Sequence, residues 1–243
     1  KPAVFGLLSR VYLSMSNYDS ALAYASKCLE IKNDLLDFKT LITHASFIGH
    51  FNKEVLFHVS MYTGELSGFL TNNCLIDPAL FDLFEGSDLR KEVFFNISPN
   101  GSIRYAGNYN RNTADLFSGI AVDEIYLNRA ECYARKDNKE AALDDLNELL
   151  STRYDSSYMP LSLNSSLEVL DRVLIERRKE LLMRGIRWGD LKRLNREDRF
   201  KVTQTRNIGG NVYTLEPNSA RYTFPIPDDI LKWNPGMKQN PGC

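Results

Sequence analysis

The sequence predicts a mainly α chain: an α-α superhelix with a long irregular insertion that contains short strands. Three observations predict it. Residues 1–31 and 122–152 repeat one another at a constant offset, so two helical hairpins are expected. The segment from Ser165 to Asn195 carries apolar residues at helical spacing. Between the repeats, residues 44–121 lose that period and alternate in short runs broken by Pro, Asn and Gly.

In the repeats, Phe5 matches Tyr126, Ser9 matches Ala130 and Tyr12 matches Tyr133. Ala21-Leu22 matches Ala142-Leu143, and Leu29 matches Leu150. Small residues let two helix backbones approach, and aromatic rings fill the space beside them. Ser16-Asn17 and Lys136-Asp137-Asn138 are the turns between paired helices. The pattern resembles the tetratricopeptide repeat, which makes the expected fold a tetratricopeptide-like superhelix. Arg129 stands where that repeat has Leu, so it belongs at a rim. Neither hairpin can bury its apolar face alone, and the two are expected to be neighbours with the insertion looping out.

Within the insertion, Lys53 to Val59 alternates as an extended segment and Asp77-Pro78 opens a short helix to Phe84. Val93-Phe94-Phe95 reads as strand-like, Pro99-Asn100-Gly101 as a turn, and Ile103 to Asn112 as a polar-aromatic loop or strand edge. A bare scaffold has no use for so long an excursion, and such loops usually carry function.

The helix expected after Ser165 or Ser166 has Leu170, Val173, Leu174, Leu181 and Leu182 on its stripe. Gly185 is its expected C-cap, and a short helix from Trp188 to Leu194 makes residues 165–195 a charged helix pair. Nine cations lie between Arg172 and Arg196, interleaved with Asp171, Glu176, Glu180 and Asp190. The chain as a whole has 30 Lys+Arg against 31 Asp+Glu, without the basic excess of a nucleic-acid binder. The charge therefore reads as structural, a dense rim in which Glu176 and Arg177 or Arg178 are partly buried and Trp188 covers them. Residues 221–243 form a proline-locked strip with Asn-Pro turns, which must pack on helices.

Three segments, taken in order, resemble the SusD/RagB family of outer-membrane nutrient-binding lipoproteins. They are the run E-R-R-K-E-L…R-G-I-R-W-G-D-L-K-R-L from Glu176, the insertion's N-K-E-V-L-F, P-A-L-F-D-L-F and D-L-R, and the ending F-P-I-P…N-P…Q-N-P-G. The family's usual last residue is aromatic, whereas this chain ends in Cys243. The resemblance covers the chain as one SusD-like domain fragment, 1–243. It implies non-catalytic capture of a glycan or other nutrient at the outer surface of a Bacteroidetes outer membrane. The partner it implies is a SusC-like TonB-dependent transporter. The opening Lys1-Pro2-Ala3, inside an apparent helix, suggests a piece of a longer protein. By the resemblance, the membrane would be reached only through an N-terminal lipid anchor outside this chain.

No cofactor or metal is expected. His44, His50 and His58 match no metal or triad spacing, and Cys28 and Cys132 suit small buried positions. A glycosidase would need two carboxylates held apart, one with a raised pKa. Asp82, Glu85 and Asp88 lie beside Arg90 and Lys91, a poor setting for such an acid. The ligand surface is expected on the insertion, with Tyr62, Tyr105 and Tyr109 stacking on sugar faces and Asn108, Asn110 and Arg111 as polar partners. On the alternative reading these tyrosines cover the repeat helices and the asparagines make turns. Trp188 and Trp233 are expected to be structural. A further alternative is a tetratricopeptide-type interaction scaffold without sugar binding.

Overall fold

A computed structural model describes residues 1–43, 48–61, 74–107, 109 and 116–242. Its helices are α1 (Pro2–Ser14), α2 (Tyr18–Leu29), α3 (Phe38–Thr43), α4 (Pro78–Phe81), α5 (Arg90–Phe94), α6 (Val122–Arg135), α7 (Lys139–Ser151), α8 (Ser166–Glu180), α9 (Arg187–Leu194) and α10 (Asp228–Trp233). Its strands are β1 (Val55–Phe57), β2 (Ser60–Met61), β3 (Phe95–Ile97), β4 (Ile103–Tyr105), β5 (Leu116–Phe117), β6 (Ile120–Ala121), β7 (Gln204–Ile208) and β8 (Asn211–Leu215). Residues cluster into two compact units, Lys1–Ile186 and Arg187–Cys243, where the sequence predicts one domain. The expected 165–195 helix pair is divided between them. After α8 the chain turns through Met183 (φ 60°) and Gly185 (φ 75°), two left-handed residues that end the helical path.

In the N-terminal unit the repeat is exact down to its turns. Ser16 (φ 58°) and Asp137 (φ 59°) both take the left-handed conformation that reverses the chain. Each is followed by an asparagine N-cap. Asn17 accepts from the Ser20 N–H at 3.1 Å and Asn138 from the Ala141 N–H at 3.2 Å. The hairpins α1–α2 and α6–α7 are neighbours, with α2 packed along α6. Ala21, Ala25, Ala130 and Ala142 are fully buried at the close approaches, and Tyr12 stacks on Tyr24 with ring centroids 5.5 Å apart. Cys28 and Cys132 are buried among them, and burial pushes the Cys28 thiol up to about 11. Arg129 is half-buried at the edge, in a 2.6 Å pair with Asp145.

The insertion folds back on itself through short antiparallel pairs. Val55 pairs with Ala121, Ser60 with Phe117, and Phe95 with Tyr105. Pairing of β1 with β6 brings the start of the insertion to the first residue of α6. Val93 and Phe94 close the helix α5 instead of opening a strand, and β3 starts only at Phe95. Under these strands lies a core of Phe38, Ile48, Phe84, Phe94, Phe95, Leu116 and Phe117.

The charged face of α8 is buried, as expected for Glu176 and Arg177, and the burial is nearly complete. Glu176, Lys179 and Glu180 are all buried within a network that reaches into the insertion. Arg90 donates to Asp88 at 2.7 and 2.8 Å, to Glu176 at 2.6 Å and to Glu180 at 2.9 Å. Arg153, just past α7, donates to Glu180 and to Glu54, each at 2.8 Å, and to the Leu36 carbonyl at 2.7 Å. Lys179 reaches Asp88 at 2.7 Å and Glu176 at 3.0 Å. Buried charge is tolerated only where each group finds opposite charge and hydrogen-bond partners, and Arg90 and Arg153 both find carboxylate acceptors. Asp88 shows the balance: burial raises its pKa, but Arg90 and Lys179 outweigh this and hold it below the usual range. Arg177 is also buried and donates to Asn128 at 2.7 Å.

In the C-terminal unit the proline strip closes on itself. Pro225 and Pro227 have no N–H, so Ile226 supplies the donor between them. It donates to Gln239 Oε1 at 2.7 Å, while Gln239 Nε2 donates to the Ile226 carbonyl at 2.9 Å. Asn240 Nδ2 adds a bond to the Phe224 carbonyl at 2.8 Å. Tyr222 is buried, accepting from the Asn195 amide at 3.1 Å. Trp188 finds its ring partners here, Tyr222 at 4.8 Å and Phe224 at 5.7 Å. Trp233 is exposed, against the expectation of a structural role.

Candidate functional site

Two of the expected stacking tyrosines are core residues, which corrects their assignment. Tyr105 is 7% exposed and Tyr109 2% exposed. The Tyr105 hydroxyl donates to the Gly107 carbonyl, and that of Tyr109 donates to Glu54, also lying 3.3 Å from Asp123. Burial first, then the Asp123 and Glu54 charges, hold the Tyr109 phenol well above its usual range. A ring sealed in this way offers no face to a sugar. Gly107 serves the same packing: a Cβ there would lie 2.2 Å from Phe94 Cδ1. Tyr62, Asn108, Asn110 and Arg111 lie outside the described residues.

Tyr109 joins a second part of the buried network. Arg184 forks onto Asp123 at 2.5 and 2.9 Å with its guanidinium 4.3 Å from the Tyr109 ring centroid. Burial raises the pKa of Asp123, but Arg184 outweighs it and the carboxyl is held down. Burial raises that of Glu54, with Arg153 opposing and Asp123 and Glu180 adding to the rise. Glu54 has no path to solvent chemistry, since both its oxygens are occupied by Arg153, the Leu36 N–H and Tyr109. Of the considered acids, Asp88 is locked to Arg90, and Glu85 pairs with Arg172 at 3.0 Å. His50 and His58 stack on one another at 4.3 Å beside Phe51, an ordinary packing arrangement.

A concave site lies in the C-terminal unit, in a region that sequence reasoning left blank. Gln204–Ile208 and Asn211–Leu215 form a hairpin closed by Gly209 (φ 58°) and Gly210 (φ 85°). Two successive positive φ values define the type I′ turn that matches strand twist, and glycine takes both without strain. The register pairs Gln204 with Leu215 and Arg206 with Tyr213, which puts these four side chains on one face of the ribbon. That face, with Arg187, Trp188 and Leu191 of α9 and Arg221, lines a cleft of about 510 Å³. Its size is that of small-ligand sites generally. Trp188 is fixed as a wall by the two ring contacts and by its indole N–H, 3.2 Å from the Tyr222 carbonyl. The signal was present in Q-T-R-N-I-G-G-N-V-Y-T-L, alternating runs around a Gly-Gly turn.

The SusD family model matches residues 122–242, and a tetratricopeptide repeat model matches residues 2–35. The chain belongs to the SusD family. Solved structures agree on the fold. A SusD-like carbohydrate binding protein from Bacteroides vulgatus superimposes with a TM-score of 0.69 at 23% identity, covering 97% of this chain and 58% of that one. A SusD superfamily protein from Bacteroides vulgatus gives 0.74 at 20% identity, covering 99% and 59%. Surface glycan-binding protein A from Bacteroides uniformis gives 0.70 at 17% identity, covering 97% and 60%. This SusD-family chain thus spans about three fifths of the length of these structures. No curated protein matches it.

Proposed function

We propose that this SusD-family chain serves non-catalytic capture of a glycan or comparable nutrient at the outer face of an outer membrane. The captured ligand is handed to a SusC-like TonB-dependent transporter. The cleft beside Trp188 carries this reading, because it combines a fixed aromatic wall with amide, hydroxyl and guanidinium groups suited to sugar hydroxyls. The names of two fold neighbours, a carbohydrate binding protein and a glycan-binding protein, point the same way. The pairing of Asp88 with Arg90 and of Glu85 with Arg172 favours binding over hydrolysis. Tyr62, Asn108, Asn110 and Arg111 are proposed as additional contacts from the insertion.

The test is a thermal-shift series with oligosaccharides of several linkages. A ligand at a hundred times its Kd should stabilise the chain by about 2.7 kcal/mol, and the oligosaccharide should be recovered intact by chromatography. Delivery is tested by co-purification with a TonB-dependent transporter from detergent-solubilised outer membranes. The scaffold alternative draws on one observation, an exposed stripe of Val4, Leu7, Val11 and Met15 along α1. Stabilisation by a peptide and by no oligosaccharide would favour that alternative.

A further inference from the structure

The charge of the cleft is one-sided. Its lining includes three arginines, Arg187, Arg206 and Arg221, and no aspartate or glutamate. They approach from three different elements: α9, the ribbon face of β7, and the 3-10 turn Ala220–Tyr222. Arg206 Nη1 donates to the Thr205 carbonyl at 2.9 Å, which steadies the side chain without neutralising it. Neither Arg206 nor Arg221 has a carboxylate partner among the described residues. The contrast within this chain is sharp, because the arginines of the N-terminal network are each matched to acids. A neutral sugar would need donors and acceptors of ordinary polarity, which the Gln204 amide and the Tyr213 hydroxyl supply. Arginines lining the same space from three elements add a preference for negative charge, since the planar guanidinium fork matches a carboxylate or sulfate. The aromatic walls, Trp188 and the 55% exposed Tyr213, suit a ring face rather than a bare ion.

We infer that this cleft binds an acidic sugar unit, the anionic group held by Arg206, Arg221 and Arg187 and the ring lying against Trp188 and Tyr213. The inference rests on the glycan-capture reading and narrows its substrate class to anionic glycans.

The test is calorimetric titration of the whole chain with four probes: a galacturonic acid trisaccharide, a sulfated chondroitin disaccharide, neutral maltotriose and inorganic sulfate. One or both acidic saccharides should bind at least tenfold more tightly than maltotriose and sulfate, and which of them binds identifies the anion as carboxylate or sulfate. Their affinity should weaken as salt rises, since exposed charges are screened. Arg206→Gln and Arg221→Gln, on exposed side chains, should each lower it about tenfold. Tyr213→Ala should weaken the saccharide and leave inorganic sulfate unchanged. Equal binding of neutral and acidic saccharides, or full affinity in both arginine variants, overturns the inference and leaves glycan capture standing. Sulfate bound as tightly as the sugars reduces the site to a simple anion site and also overturns it. Failure of every saccharide, charged or neutral, removes the inference and the capture reading together.

Discussion

Two sets of arginines, the Arg90 network of the N-terminal unit and the cleft wall of the C-terminal unit, serve opposite ends. In the N-terminal unit Arg90 and Arg153 are fully buried, and each bridges two or more acids contributed by distant segments. In the C-terminal unit Arg206 and Arg221 are exposed on the wall of a cleft that has no carboxylate in its lining. The first pair fastens the insertion to α8 and to the chain just past α7; the second presents charge to whatever enters. Density of charge along the sequence does not separate these roles. Pairing and burial do, because desolvation makes a buried charge depend on its partners while an exposed one keeps water as its default partner.

Arg90→Met should sharpen that contrast most. It strands Asp88, Glu176 and Glu180 without their common donor, and the cost should be about 3–5 kcal/mol in urea denaturation. A loss below about 1 kcal/mol would mean that the network relaxes easily and holds nothing together. The same network sets the response to acid. Asp88 and Asp123 have lowered folded-state pKa values, so their contribution is complete above the unfolded value of about 4 and is lost as pH falls through their folded values. Glu54 is raised and works the other way: the fold prefers its protonated form, so stability rises slightly as pH drops from neutral through its folded value. Melting temperature should therefore be flat or rise on mild acidification and then fall steeply below pH ~4. A monotonic fall from pH 7 would contradict this assignment.

Trp188→Ala should cost about 2–3 kcal/mol, below the usual range for a core aromatic because the ring is only half-buried. The loss should show as earlier local opening of the C-terminal unit in hydrogen exchange, with protection of α6–α8 retained. Tyr109→Phe removes the donor to Glu54 and should cost about 1–2 kcal/mol while leaving saccharide affinity unchanged. A large loss of affinity there would return the ligand surface to the insertion. Arg206→Gln should change stability by no more than about 0.5 kcal/mol, the mark of a surface residue whose role is binding.

How far each region was legible follows from the range of its interactions. The hairpins, their left-handed turns and the aromatic and small positions are matters of spacing within some thirty residues, so the repeat could be aligned by eye at Tyr12 and Tyr133. The Gly-Gly hairpin is equally local, a pair of alternating runs on either side of its turn. The fate of Tyr105 and Tyr109 was not readable. Tyr-Ala-Gly-Asn-Tyr has the composition of a binding loop, and only the approach of Phe94 and Glu54 from elsewhere in the chain makes it core.

The mainly helical class, the two repeat hairpins, the insertion between them and the family signature along α8, α9 and the closing strip all follow from local pattern in the chain. The tertiary structure alone decided which charges are sealed and which are open. Arg90 meets Glu180 across 90 positions and Arg153 meets Glu54 across 99, distances over which no local pattern can report a partner. Helix periodicity selects a face by hydrophobicity, whereas a buried ion pair is selected by the arrival of its counter-charge. That is why the sequence could mark the charges of α8 as structural and partly buried without naming Arg90 and Arg153 as their partners.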